Sequence, residues 1–541
     1  MTNTIFLSLS IFLKIIHCQE EPVIIPEPTK IVNTESGPVR GLKINKYGME
    51  LYGFLGIPYA EPPVGKLRFK PPVPISPWSD VLEANKNGPQ CLQVSSEFLP
   101  SEQSAPEMSE DCLTLNVFTN NIGSEGLFRK KPQAVMIWIH GGGFTIGSKD
   151  LYRMDELLTE DVVYVAMNYR LAALGFMSFG NDVVSGNMGL KDQQLAIQWV
   201  RYNIHHFGGD PNKITIFGES AGAISVQAQV LSPWNSGILS GAIAQSGSFI
   251  NQHFQPQGSE MKYAMNAASV FGCSEALNEN TLDCMQNVDI EARLKDISDP
   301  DEAQFDPEID IKFWFWPVVD NYASNPFIPT DPLEALKTGM FNRIPYMSGT
   351  CTYEGALSTA AYGFVGITGN ATLGLIEEPA IPFNLHYGKE RTFTKVARMF
   401  YNHPTGDSRF EQEKPAMDFF TDAFFLSSDQ KSVELMSGYV ENVYNYLFSQ
   451  QTNNSLLAGG FNLSIEYTPT HADDLTFLIS LDAFSKIYPD LIKGFSEDET
   501  STSKHMIKYW TNFAKYGNPS GSGKDEHEPT WYPVGKNEKV V

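Results

Sequence analysis

Two glycine-rich segments and a scatter of histidines and carboxylates carry the residue types for nucleophilic acyl chemistry. Gly218-Glu219-Ser220-Ala221-Gly222 sets a serine between glycines, directly after the apolar run Ile214-Thr215-Ile216-Phe217 and before a small-residue stretch through Ala223. A strand, turn and helix in that order would hold the serine in a strained turn with its hydroxyl exposed. The N-terminus of the following helix would then lie beneath a reacting carbonyl. Flanking glycines suit such a turn because neighbouring backbones must approach it closely. His140-Gly141-Gly142-Gly143-Phe144 follows a second apolar run, Ala134 to Ile139, and offers bare backbone N–H groups. Donors fixed where negative charge gathers in a tetrahedral intermediate are worth about 3 kcal/mol each. Gly142, Gly143 and Ala221 are the expected donors of such an oxyanion hole.

A serine hydroxyl is a poor nucleophile at neutral pH. It needs an imidazole to take its proton and a carboxylate to hold the imidazole in the right tautomer. After a turn of this type the expected order is serine, acid, histidine. Of ten histidines, His17 lies in the N-terminal apolar run, His140 in the glycine turn, and His205 and His206 before the serine. His253 follows too soon and His527 lies in a charged tail, which leaves His386, His403, His471 and His505. His471 is the preferred base, since Ala472-Asp473-Asp474 and the apolar run Leu475 to Ile479 suit a loop histidine just before a buried helix. Glu354 is the preferred acid because it follows the strand and turn Ile344 to Gly349, with Asp320 as a rival. Spacing alone leaves both choices open.

The elements that must position these residues are buried strands and helices. Ala134–Ile139, Val162–Ala166, Ile214–Phe217 and Ala242–Gln245 are near-continuous apolar runs, the pattern of parallel strands buried on both faces. Helical periodicity lies between them, as in 189–207 with Leu190, Leu195, Ile197, Val200 and Ile204 on one face. Alternating strand and helix predicts the α/β class with helices on both faces of the sheet. No Pro/Gly/Ser-rich linker divides the chain. We read 19–541 as a single domain with long insertions, most of them after residue 250.

The chain of 541 residues carries 39 Lys plus Arg against 63 Asp plus Glu, a formal charge of −24. That balance argues against nucleic acid, which demands a basic footprint, and against docking on anionic lipid. A hydrophobic share of 42% suffices for a large core and excludes disorder as the ground state. Residues 5–16 form an apolar run too short to span a bilayer, and 1–18 are expected to be a signal peptide. The C-terminal Lys-Asn-Glu-Lys-Val-Val offers no hydrophobic tail, so no membrane or lipid anchor is expected. In an oxidising compartment, short-range pairing of Cys91 with Cys112 and of Cys273 with Cys284 is the simplest assignment, leaving Cys351 free. Asn370, Asn453 and Asn462 head glycosylation triplets. Secretion is the location these features suggest.

Taken together, the motifs resemble the type-B carboxylesterase/cholinesterase family. Phe207 to Gly222 (Phe-Gly-Gly-Asp-Pro-Asn-Lys-Ile-Thr-Ile-Phe-Gly-Glu-Ser-Ala-Gly) matches that family's serine signature, and Glu110-Asp111-Cys112-Leu113-Thr114-Leu115-Asn116-Val117 its second signature. Asn120 stands where a proline or similar residue is expected. Phe54 to Pro63, Asn168 to Leu171 and Gln245 to Ser248 fit as well, so the likeness spans about residues 30 to 534. The resemblance implies an α/β-hydrolase fold, with a mixed, mainly parallel sheet, helices on both faces and a deep gorge. It carries Ser220, Glu354 and His471 over as the triad, supports both disulfide pairings and the oxyanion donors, and adds a structural Arg68–Glu110 ion pair. It marks 311–320 as an acyl-pocket strand, with Ile311 and Phe313 as pocket residues.

Departures narrow the implied chemistry. Cholinesterases carry a Trp in the loop closed by the first disulfide, to hold a quaternary ammonium by cation–π attraction. Here that loop has Phe98 and no Trp, which disfavours choline esters. Juvenile-hormone esterases typically carry Gln before the serine, where this chain has Glu219. The expectation is a secreted serine carboxylesterase acting on uncharged small-molecule esters, without metal or organic cofactor. Its activity should fall below about pH 6, as an imidazole near its ordinary pKa gains a proton. The alternatives are a non-catalytic, neuroligin-like adhesion or binding protein, and a lipase or ligand-sequestering esterase.

Overall fold

The computed structural model describes residues 27–93, 107–122, 131–250, 260–291, 315–357, 401, 406, 408–460, 463–482, 485, 492–523 and 529–535. Its frame is a ten-stranded sheet. In chain order the strands are β1 (Glu27–Pro28), β2 (Leu42–Lys46), β3 (Met49–Pro58), β4 (Thr114–Thr119), β5 (Gln133–Ile139), β6 (Val162–Met167), β7 (Gly209–Glu219), β8 (Gly241–Gln245), β9 (Tyr346–Cys351) and β10 (Val443–Phe448). Their spatial order is β1-β2-β3-β4-β6-β5-β7-β8-β9-β10. From β6 to β10 every pairing is parallel, while β1 to β4 form an antiparallel flank. The predicted mixed, mainly parallel sheet is therefore present.

The strand pattern explains why both faces are covered. In β5, Val135, Ile137 and Ile139 join one hydrophobic cluster while Ala134, Met136 and Trp138 join the other, and β6 alternates likewise. Side chains two residues apart share a face, so a run apolar at every position must be sandwiched. Helix α1 (Met188–Asn203) and helix α2 (Ala221–Leu231) supply the first face with Leu190, Ile197 and Val226. Helix α3 (Glu497–Tyr516) supplies the second with Met506, Ile507, Trp510 and Phe513. The periodic segment 189–207 is α-helical only to Asn203; Ile204–Phe207 tighten into a 3-10 turn that Gly208 ends at φ +80°.

Register brings the strand ends together. β5 pairs with β7 up to Ile139↔Gly218, and β7 with β8 up to Glu219↔Gln245. The glycine turn after Ile139, Ser220 and Ser246 thus leave the sheet side by side at its carboxyl edge, where α/β sheets present their sites. The flanks are pinned covalently and by charge. Cys91–Cys112 and Cys273–Cys284 are both bonded, and Cys351 is free and buried. Arg68 meets Glu110 in a bidentate pair at 2.6 and 2.5 Å, and its remaining donors reach the carbonyls of Met285, Gln286 and Val288. Each nitrogen of that largely buried guanidinium donates to an acceptor, which favours tolerance of a buried charge.

Candidate active site

Ser220 occupies the turn between β7 and α2 at φ 57°, ψ −123°, a strained conformation for a residue with a Cβ. Its N–H donates to Gln245 O at 2.9 Å, which holds the turn against the end of β8. The two glycines of the pentapeptide are required by close approach: a Cβ on Gly222 would lie 2.1 Å from Ile139 O, and one on Gly218 would lie 2.6 Å from the same oxygen. We expect Gly222→Ala to push α2 from the sheet and to abolish soluble expression or lower the melting temperature by several degrees. A wild-type melting curve for that variant would refute the packing argument.

The glycine turn lies against the serine. A Cβ on Gly141 would come within 3.1 Å of Ser220 Cβ, and Gly142 and Gly143 both have positive φ (103° and 60°). The turn is closed by Thr145 N and Ile146 N donating to Gly142 O. Tyr169 stacks on His140 and donates to its carbonyl at 2.7 Å. Among the described residues, none accepts a hydrogen bond from the N–H of Gly142, Gly143 or Ala221, so these donors remain for a ligand.

The structure brings His471 and Glu354 together. His471 Nδ1 lies 2.6 Å from Glu354 Oε2 and donates to it in that tautomer. The Glu354 turn after β9 is joined to the His471 loop by Tyr353 N donating to Pro469 O. Glu354 is fully buried, and its Oε1 accepts from Ser246 Oγ at 2.5 Å and from Cys351 N at 2.6 Å. Asp320, the rival acid, lies elsewhere, accepting from Phe327 N and Ile328 N and pairing with Lys191. His505 donates within its own helix, to Ser501 O. The apolar run after His471 forms a short buried 3-10 segment, Asp473–Phe477, in place of the expected helix. His386, His403, Ile311, Phe313, Asn370 and Asn462 fall outside the described residues; Asn453 is exposed.

Sequence reasoning missed Glu219. It is buried beside Ser220, with Oε1 3.0 Å from His471 Nε2 but off the line of an aligned hydrogen bond. No hydrogen bond joins Ser220 Oγ and His471 among the described residues, so the imidazole lies between two carboxylates. Burial alone would lower the His471 pKa, but Glu219 and Glu354 outweigh it and push it up to about 9. Burial, opposed by His471, raises Glu219 to about 8. The two groups titrate as a pair. This corrects the expectation of an ordinary imidazole: if His471 is the base, the acid limb of activity should lie above pH 6.5, because it is neutral only above its raised pKa.

Three more buried carboxylates surround the site. Burial raises Asp473 to about 7 and Asp474 and Asp429 to about 6. Asp474 accepts from Gln245 Nε2 and Tyr446 OH, and Trp510 Nε1 donates to Gln245 Oε1, so α3 supports the loop that carries His471. In an unfolded chain carboxylates titrate near pH 4, so between about pH 4 and 8 these side chains and Glu219 bind more protons when folded, and their contribution to stability falls as pH rises. His471 acts with the same sign, its contribution being present below about pH 6.5 and lost as pH rises through about 9. The melting midpoint should be higher near pH 5 than near pH 8.5. Calorimetry showing a midpoint that climbs over that range would contradict these assignments.

The comparisons agree with the geometry. Residues 28–541 match the model of the Carboxylesterase family. A protein described as carboxylic ester hydrolase from Bombus ignitus is 32% identical over 535 residues, covering 94% of this chain and 88% of that protein. The pyrethroid hydrolase Ces2e of Rattus norvegicus is 32% identical over 546 residues (94% and 85%). A juvenile hormone esterase of Tribolium castaneum is 31% identical over 533 residues (90% and 84%). The chain belongs to the carboxylesterase family and has its α/β-hydrolase fold. It is a carboxylic ester hydrolase, and its substrates are small-molecule esters.

Proposed function

We propose that Ser220, His471 and Glu354 are the catalytic residues and that uncharged carboxylic esters are the substrates. The observation that carries this reading is the 2.6 Å His471–Glu354 contact beside a strained Ser220 with unused backbone donors around it. Substrate entry would turn His471 Nε2 from Glu219 toward Ser220 Oγ, since catalytic hydrogen bonds often tighten only in the complex. Ser220 Oγ then attacks the ester carbonyl while His471 takes its proton. The N–H groups of Gly142, Gly143 and Ala221 hold the oxyanion. His471 next protonates the leaving alcohol, and water repeats the sequence on the acyl-enzyme. Phe425, whose ring lies 5.0 Å from that of His471, gives the site an apolar wall suited to an uncharged acyl or alcohol group.

Glu219 is a positioning residue in this scheme. It attracts His471 Nε2 and favours the imidazolium that forms during attack, at the cost of protonating the base at neutral pH. Glu219→Gln should move the acid limb of kcat/KM down by at least about one pH unit, toward the ordinary histidine value. An unmoved limb would show that another group sets it.

Secretion fits the chain as well. The apolar run in 1–18, two disulfides and the exposed Asn453 triplet favour an oxidising compartment, and no helix among the described residues is long and apolar enough to cross a membrane.

Hydrolysis of p-nitrophenyl butyrate by purified protein, followed by a series of longer acyl chains, tests the proposal. Many turnovers on short esters are expected, with rates falling as the acyl chain lengthens. Release that stops at one equivalent would mark a ligand-sequestering protein, and rates that rise with chain length a lipase.

A further inference from the structure

A second cluster of ligating side chains lies at the other end of β7. Gly209 begins that strand and Glu219 ends it, so the segment preceding Gly209 belongs to the edge of the sheet opposite Ser220. There His205 and His206, in the 3-10 turn after α1, face Glu35 from the turn joining the short strands Val32–Asn33 and Pro38–Arg40. One ligand atom from each of the three lies within 4.8 Å of the others. The two imidazole rings are 3.8 Å apart, and His206 Nε2 is 3.8 Å from Glu35 Oε1. His206 Nε2 is shielded from solvent and has no hydrogen-bond partner. A buried imidazole nitrogen left without a partner is costly unless something else satisfies it.

The supports of this cluster are fixed. Thr34 and Gly37 exchange backbone hydrogen bonds across the turn, and Glu35 N donates to Asn203 Oδ1 at 2.8 Å. Trp199 Nε1 donates to Ser36 Oγ at 3.0 Å. Both anchors come from α1, so the helix that presents the histidines also holds the turn that presents the carboxylate.

We propose that Glu35, His205 and His206 form a binding site for a transition-metal ion of the Zn²⁺ class, one that ties the N-terminal hairpin to the end of α1. Two imidazoles and a carboxylate suit Zn²⁺, Cu²⁺ or Ni²⁺, whereas Ca²⁺ and Mg²⁺ favour oxygen-only shells. Bonds of about 2.0–2.1 Å to a tetrahedral ion put its ligand atoms about 3.4 Å apart. Exposed His205 and Glu35 can close the remaining distance by turning side chains alone. Water would complete the shell on the open side. The site lies away from Ser220, so its role is structural.

Titration calorimetry of untagged, chelator-treated full-length protein with ZnCl₂ at pH 7.5 tests the proposal. One equivalent should bind, and saturating Zn²⁺ should raise the melting midpoint. Loss of an outer partner of a metal site costs about 10–100-fold in affinity, so His205→Ala and Glu35→Gln should each weaken binding at least tenfold. Asn203→Ala, which frees the Glu35 backbone, should weaken it less. Hydrolysis of p-nitrophenyl butyrate by His205→Ala should match wild type, which shows that the variant is folded. Undiminished Zn²⁺ affinity in the His205→Ala/Glu35→Gln double variant, absence of binding, or displacement of Zn²⁺ by millimolar Ca²⁺ would each overturn the proposal.

Discussion

Ser220→Ala should lower kcat for p-nitrophenyl butyrate by about a millionfold, the loss seen when the nucleophile of a serine triad is removed. The residual rate would come from Gly142, Gly143 and Ala221, whose N–H groups still stabilise an oxyanion formed by water. Backbone strain at Ser220 should relax little, because the turn is imposed by Ser220 N on Gln245 O and by the contact of Gly222 with Ile139. The melting midpoint should therefore stay close to wild type while activity disappears. Stopped-flow release of p-nitrophenolate would separate the two steps: the wild type forms an acyl-enzyme and the variant cannot. A variant that keeps more than a thousandth of the wild-type rate would place the nucleophile elsewhere.

Glu354→Gln should cost about 10⁴ in kcat with the fold intact, for a reason that can be read atom by atom. In the wild type Oε1 accepts from both Ser246 Oγ and Cys351 N, so a glutamine must point its carbonyl oxygen there. Its amide NH₂ then faces His471 Nδ1, where two donors would meet. The imidazole avoids that clash by adopting the tautomer with its proton on Nε2, which cannot accept a proton from Ser220. KM should change little, since Glu354 is fully buried and touches no substrate in this scheme. Circular dichroism and kcat measured on the same preparation would check both halves. A loss of folding together with activity would make Glu354 a structural carboxylate only.

The Ser220 turn was legible in the sequence because its requirements are local. A buried strand, two glycines that tolerate close backbones and a helix start all fall within a dozen residues. The glycine turn after β5 was legible for the same reason. The proposed base and acid were not decided by spacing: His471 and Glu354 come from loops 117 residues apart, joined by a backbone bridge at Tyr353 that no short-range pattern announces. Family resemblance made that choice, and the geometry brings the two side chains together. Its partner Ser246 was beyond reach, since Ser246 approaches Glu354 only once β8 and β9 pair, whereas the Cys351 N contact is local.

Glu219 shows a different limit. The sequence marked Glu219 only as a departure from the Gln of juvenile-hormone esterases, and only the folded turn shows its carboxylate directed at His471. The consequence is large, because an imidazole between two buried carboxylates does not titrate like one in water. The raised His471 pKa moves the expected decline above the pH that an ordinary imidazole would give, and Glu219→Gln is the change that should bring it back down. The short 3-10 segment after His471 departs from the expected helix because Asp473 is drawn back to Thr470 N, and Asp474 to Gln245 and Tyr446. Their hydrogen bonds run across the turn and stop a longer helix from forming.

Covalent labelling by diisopropyl fluorophosphate, read by peptide mass spectrometry, tests the account most directly. One equivalent should attach to the peptide bearing Ser220. No label should appear in Ser220→Ala, and labelling of His471→Ala should slow by at least about a thousandfold, as expected when the base that activates a serine is lost. Label on another residue, or an undiminished rate in His471→Ala, would mean that these side chains do not work as one unit.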